Sequence, residues 1–277
     1  MSGFYYNGHS TATILPEEEL MLVSTTGAVD TVTGVTRESV EGEPTISRPI
    51  VHEYGTNAEH LEFTYSLMKA SGTDYTHEEQ RIVETWLTSP KYSSELTLYD
   101  CDGNEFMHYY GKFISTEWVV SNDNFIAVNF TFLVNGTHGY QHHIETYGAD
   151  PENPTTDWSF DINCHSDELE EWVYPKVTIS RINLDNNVSF TLTNTADNNR
   201  QMKITTNRKD TFYIDCQNNI LSEESGVVDF EDLGWSDVGD IYWLRLKPGI
   251  NHIDMTGAIN IKLEYDSPVK YVGGWLI

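Results

Sequence analysis

Apolar and polar residues alternate with period two in one short run after another, and Gly, Pro, Asn or Asp bound most of these runs, which is how half-buried strands read. Leu61, Phe63, Tyr65 and Leu67 alternate with Glu62, Thr64, Ser66 and Met68. Ile126, Val128, Phe130, Phe132 and Val134 face one way, and so do Ile259, Ile261, Leu263 and Tyr265. Shorter strands are predicted at Phe4–Tyr6, Glu95–Asp100, Val177–Ile182, Ser189–Asn194 and Gln201–Thr206, with two longer ones, Phe106–Tyr110 and Lys112–Val120, hinged at Gly111. Asn7-Gly8 and Asp102-Gly103 are hairpin-type turns. Lys247-Pro248-Gly249 reads as a type II turn joining two strands, because proline presets φ at the first central position and glycine accepts positive φ at the second.

One stretch breaks the pattern. Thr76-His-Glu-Glu79 is a capping box, and Ile82, Val83, Trp86 and Leu87 follow at helical spacing until Ser89-Pro90. The spacing predicts one helix over about 76–89. Its apolar stripe is narrow, so it belongs on the outside of a sheet. Residues 16–57 are polar and broken by Pro16, Pro44 and Pro49, and they read as edge strands and surface loop. Residues 135–157 are rich in Gly, Pro and Asn and read as a linker between two domains, about 1–145 and 146–277. The chain has 277 residues, which suits two domains of ordinary size.

Charge and cysteine content narrow the function classes. The net charge is −27, with 22 acids against 6 bases in residues 1–150 and 21 against 10 in the remainder. Nucleic-acid binding needs Lys and Arg to displace counterions, so stable binding of DNA or RNA is not expected. Cys101, Cys164 and Cys216 are odd in number and widely spaced, which predicts free thiols rather than a disulfide framework or a zinc site. No stretch resembles a signal peptide or a membrane span, so a protein made in the cytoplasm and not inserted in a membrane is expected. Asn129, Asn135 and Asn187 begin glycosylation triplets of the kind that chance supplies in an Asn- and Thr-rich chain.

Candidate chemistry is sparse. His138, His142, His143 and Glu145 lie close in sequence, but glycines around them oppose the helix that would put i and i+4 histidines on one metal, and polar linker is the better reading. Glu17-Glu18-Glu19 and Asp167–Glu171 read as solvated faces, the latter with one helical turn. Trp158, Trp172, Trp235, Trp243 and Trp275 suit either a sandwich core or a sugar-stacking platform. No nucleophile elbow, phosphate loop, dinucleotide fingerprint or zincin motif is present. The prediction is therefore a non-enzyme with no catalytic, cofactor-binding or metal-ligating residues and no cofactor.

The order "KITTNRKDTFYIDCQNNIL", "DIYWLRLKPGINHIDMTG", "INIKLEY", "YVGGWLI" resembles the carboxy-terminal domain of phage distal tail proteins, with Asp215–Asn219 and Leu246–Asn251 as its most recognisable turns. The aromatic opening strand, the capped helix ending in Trp86-Leu87, the hairpin and Phe130-Thr-Phe132 resemble the amino-terminal domain. The match departs after the last strand of that domain, where Leu133–His138 replaces a frequent Cys, Asp or Pro cluster. The resemblance implies a mainly β protein of two β-sandwich domains, the first with one helix and a projecting hairpin, the second galectin-like or jelly-roll. It further implies a virion protein at the tail tip of a long non-contractile tail. There it would form a homo-hexameric ring between the tail tube and the tape-measure, tail-tip lysin and receptor-binding proteins. The alternative is a carbohydrate-binding protein acting through the second sandwich.

Overall fold

Asn7 and Gly8 both adopt positive φ, 45° and 87°, the type I′ geometry whose twist matches paired strands. They join β1 (Phe4–Tyr6) to β2 (His9–Ser10) and begin an almost wholly β chain. The computed structural model describes residues 3–23, 37–41, 53–100, 102–148, 157–181, 188–206, 211–224, 226–228, 242–257 and 259–270. The chain divides into two units, Met1–Tyr140 with Lys270–Ile277, and Gln141–Val269. Cys101, Pro44, Pro49, Pro151, Pro154, Asn187, Trp235 and Trp275 lie outside the described residues, as does Gly239–Ile241.

The first unit continues with β3 (Leu20–Val23), β4 (Arg37–Glu41), β5 (Glu53–Ala58), β6 (Glu62–Lys69), α1 (His77–Thr88), β7 (Ser94–Tyr99), β8 (Glu105–Ser121), β9 (Asn124–Val134) and the start of β10 (Gly139–Gly148). Among the described residues β4 and β5 pair only with each other. The other strands form an antiparallel order β2-β1-β7-β8-β9-β6-β3. Two hinged strands were expected over Phe106–Val120; the structure has one strand of 17 residues. Gly111 is instead the point where that strand changes partner, opposite Ser94 of β7 on one side and Val134 of β9 on the other. The neighbours come so close that a side chain at Gly111 would meet the Leu133 carbonyl oxygen and the Phe132 ring. The hairpin is therefore made by β8 and β9, around Asn122-Asp123 at φ 50° and 65°. β6 accompanies β9 only between Val128 and Leu133, so the tip from Val119 to Ala127 runs on without it.

The core of this unit is aromatic. Phe113 stands edge-on to Tyr6, Phe130 and Phe132 at centroid distances of 4.7, 5.1 and 4.9 Å. α1 starts as its sequence dictates: Thr76 Oγ1 accepts from the Glu79 N–H, and Glu79 accepts from the Thr76 N–H at 2.7 Å. Val83, Trp86 and Leu87 are its buried residues. Glu79 also accepts from the buried Lys69 ammonium at 2.9 Å. Burial alone would raise the Glu79 pKa, but the Thr76 and Lys69 hydrogen bonds outweigh it and hold the carboxyl below its usual value. A depressed carboxylate adds stability above the unfolded-state pKa, about 4.3 for Glu, and loses it as pH falls through the lower folded value. The melting temperature of the wild type is therefore expected to drop on acidification below about pH 4.3 more steeply than that of Glu79→Gln. Parallel pH profiles for the two would remove Glu79 from the account.

The second unit continues β10 and adds β11 (Asp157–Cys164), β12 (Lys176–Arg181), β13 (Val188–Asn194), β14 (Arg200–Thr206), β15 (Phe212–Asp215), β16 (Ile220–Glu223), β17 (Gly226–Val227), β18 (Gly249–Thr256) and β19 (Ile259–Val269). One sheet runs β17-β16-β15-β12-β19-β10 and the other β11-β18-β13-β14, with antiparallel pairing from β17 to β19 in the first and throughout the second. Val177, Ile179, Phe212, Ile214, Ile261 and Leu263 of the first sheet share a core with Ile162, Phe190, Leu192, Ile204, Ile253 and Met255 of the second. That is a β-sandwich. Where a linker was expected over 135–157, residues 139–148 form β10, and Asp167–Glu171 makes a turn without helix. Gly249 has φ 90°, as its turn requires, but the turn does not join paired strands. Among the described residues from 242 to the turn only Leu246 bridges, to Val173, while β18 after it pairs with β11 and β13. Among the described residues no helix is long and apolar enough to cross a membrane.

Candidate functional site

A cleft in the second unit is built by two turns and a buried ion pair. Asn194, at the end of β13, caps a 3-10 turn over Thr195–Asp197 through a hydrogen bond from the Ala196 N–H at 3.0 Å. Asn198 and Asn199 then take left-handed φ values of 55° and 56° and send the chain into β14. This tight reversal buries Asp197, which is 2% exposed. Its carboxylate accepts two hydrogen bonds from Arg245, from Nε at 2.7 Å and Nη2 at 2.8 Å. The planar fork of the guanidinium suits that two-point contact. Asp197 raises the Arg245 pKa further above its already high value, so the arginine stays charged.

The Arg245 backbone is fixed as firmly. Asn194 Nδ2 donates to the Arg245 carbonyl at 2.8 Å and to Asn251 Oδ1 at 3.0 Å. Asn251, fully buried, accepts from the Lys247 N–H at 2.9 Å and donates to the Lys247 carbonyl at 2.8 Å. Asn194 thus satisfies the Arg245 carbonyl, and Asn251 both backbone groups of Lys247 at the start of the Lys-Pro-Gly turn. On the far side, Asp215 Oδ1 accepts from the Gln217 and Asn218 N–H groups at 3.1 and 3.0 Å, and Asn219 completes that turn at φ 58°.

Between these turns lies a cleft of about 300 Å³. Arg200 and Arg245 line it with Tyr174, Tyr242 and Trp243, and the Asp215 turn contributes Cys216, Gln217 and Asn219. The Arg245 guanidinium lies 3.9 Å from the Trp172 ring centroid, and that of Arg200 lies 5.1 Å from the Tyr242 centroid. Arg200 reaches Asp197 only at 4.0 Å. Burial pushes the Cys216 thiol up to about 12, so it is inert. The walls are aromatic and the polar groups are mostly hydrogen-bond donors. None of Asp197, Arg200, Tyr174, Tyr242 or Arg245 stood out in the sequence as a candidate. The signal that was there is the alternation Trp243-Leu244-Arg245-Leu246, which buries both leucines in the core and leaves Trp243 and Arg245 partly exposed in the cleft lining.

Of the candidates taken from sequence, His143 and Glu145 meet at Tyr265, and the others take separate partners. His138 bonds the Tyr140 hydroxyl at 3.2 Å in the first unit. In the second, His142 bonds Asp266 at 2.7 Å, and His143 stacks on Tyr265 at 5.0 Å, where burial pulls its pKa down. Glu145 accepts from the hydroxyls of Tyr147 and Tyr265. Among the described residues no three His, Cys, Asp or Glu side chains come together to hold a metal ion. Glu17 and Glu19 are exposed, and so are Glu170 and Glu171. Among the described residues the tryptophans form no shared platform: Trp158 packs beside Phe160 at 5.2 Å, and Trp172 has Arg245 on its ring. Cys164 and Cys216 are free thiols.

Two family profiles account for most of the sequence. One, described as a phage tail protein N-terminal domain, matches residues 1–136, and the other, a phage tail C-terminal domain, matches residues 149–265. The chain belongs to this family of phage tail proteins. Its fold is that of the Dit protein (gp 19.1) of phage SPP1, described as a paradigm of the hub adsorption apparatus in phages that infect Gram-positive hosts. That match has a TM-score of 0.60 at 12% identity and covers 97% of this chain and 99% of that one. A chain of the phage p2 baseplate in its activated conformation with strontium matches at TM-score 0.51 and 7% identity, over 98% of this chain and all of that one. No curated protein matches the sequence.

Proposed function

We propose that this phage tail protein is the distal tail hub: six copies close into a ring through the first domain, about 1–145, and present the second, about 146–277, outward. The ring continues the tail tube above and carries the tape-measure end, tail-tip and receptor-binding proteins below. The observation that carries this reading is the correspondence of both domains, in order and at full length, to the fold of a phage hub protein. Fold alone does not assign a role; membership of a phage tail family makes this role the one the fold supports best. The β8–β9 hairpin is the element proposed for the contact between copies, since Ile114 and Val120 lie 48% and 52% exposed along it. Its role is mechanical rather than catalytic.

The acidic charge fits a channel that passes DNA. A wall poor in Lys and Arg offers no counterions to phosphates, so a duplex slides past without sticking. Antibody raised against the protein is expected to decorate the capsid-distal end of the tail in electron micrographs of intact particles. Label along the tube or at the capsid would refute the assignment.

A further inference from the structure

We propose that the cleft between Arg200, Tyr242 and Arg245 binds an acidic saccharide unit, a sugar ring bearing a carboxylate or phosphate. The inference concerns the second unit alone and does not rest on the ring. In a chain with 16 Lys and Arg against 43 Asp and Glu, two of the seven arginines meet in one cleft. Among the described residues the one carboxylate paired with them is Asp197, and both of its oxygens are taken by Arg245. Arg245 is therefore neutralised and locked, a wall rather than a hand. Arg200 is different: among the described residues the carboxylate oxygen paired with it is 4.0 Å away and its side chain is 44% exposed, which leaves most of its five N–H donors for a ligand. A planar guanidinium that donates in parallel pairs selects carboxylate or phosphate.

The rest of the lining speaks for a ring carrying hydroxyls. Tyr174 and Tyr242 are each 38% exposed, the latter with Arg200 over one face of its ring, and an aromatic ring with a polar rim is the kind of surface on which the C–H face of a pyranose stacks. Gln217 and Asn219, exposed on the Asp215 turn, supply amides that both donate to and accept from hydroxyls. A volume of about 300 Å³ is at the low end of small-molecule sites, roughly 300–1,000 Å³, and accommodates one or two sugar rings rather than a helix or a folded partner. The lining is also preorganised. Asp197, Asn194 and Asn251 fix Arg245, and Asp215 fixes the opposite turn, so little ordering is left for a ligand to drive.

The test is titration of the full chain by calorimetry and by protein-observed NMR with trigalacturonate, glucose 6-phosphate, maltotriose, inorganic phosphate and adenosine monophosphate. Trigalacturonate and glucose 6-phosphate are expected to bind. Arg200→Gln is expected to weaken both by about tenfold, the worth of one charge-assisted contact. Tyr242→Ala should weaken both as well, and because both residues are well exposed the melting temperature should not change. Binding of neither acidic sugar, or binding unaffected by Arg200→Gln, would overturn the site. Maltotriose binding as tightly as trigalacturonate would overturn the acidic requirement. Phosphate or adenosine monophosphate binding as tightly as glucose 6-phosphate would overturn the saccharide.

Discussion

Trp86→Ala is expected to destabilise the protein by about 3–5 kcal/mol, the cost of deleting a buried large aromatic. Trp86 is 4% exposed, lies parallel to Phe4 at 5.1 Å between centroids, and donates its indole N–H to the Tyr6 carbonyl at 2.8 Å. The deletion thus does three things together. It opens a cavity between the helix and β1, strips a ring contact from Phe4, and leaves a buried carbonyl without its donor. Trp86→Phe separates these effects: it keeps most of the volume and loses the hydrogen bond, so it should cost about 1–3 kcal/mol. Urea unfolding of the three proteins measures both numbers. A loss below about 1 kcal/mol for the alanine variant would mean that α1 is not anchored through this residue.

The second large effect is expected at Asp197. Asp197→Ala leaves the Arg245 guanidinium without the carboxylate that takes two of its N–H groups, and a buried charge deprived of its partner costs about 3–5 kcal/mol. The lower end applies, because the Arg245 side chain keeps 20% of its surface and the Trp172 ring supports it. Removing both charges is a different matter, since an apolar pair of similar volume avoids the desolvation that the ion pair had to overcome. The double variant Asp197→Leu with Arg245→Met should therefore recover most of the loss. Equal losses in the single and double variants would mean that the site is held by packing and not by charge.

What the sequence disclosed was whatever is decided within a few residues. The Asn7-Gly8 turn, the Thr76–Glu79 capping box and the alternation in Leu61–Tyr65 and Ile259–Tyr265 appear in the structure as read, as does the Asp215 turn that the resemblance implied, while Ser66 is buried where alternation placed it outward. What stayed hidden depends on distant partners. Gly111 reads as a hinge by composition, yet β8 continues unbroken through it because β7 and β9 take over its two sides there. β10 reads as linker because its inner-facing positions, His143, Glu145 and Tyr147, are polar or amphipathic and bury through rings and hydrogen bonds, leaving no apolar alternation to see. The Asn122-Asp123 reversal carried a usable signal, two residues that tolerate positive φ between long apolar runs. The cleft carried almost none. Asp197 and Arg245 are 48 positions apart and Asn194 and Asn251 are 57 apart, separations at which only the topology of the sandwich decides who meets.

The central claim is that this phage tail protein closes into a ring, and its mass in solution tests that most directly. Multi-angle light scattering of the purified chain, followed by negative-stain electron microscopy of the same fraction, is expected to give six chains of 31.6 kDa, about 190 kDa, as annular particles with an open centre. A monomer at every concentration examined, or an oligomer without a central opening, would contradict the hub.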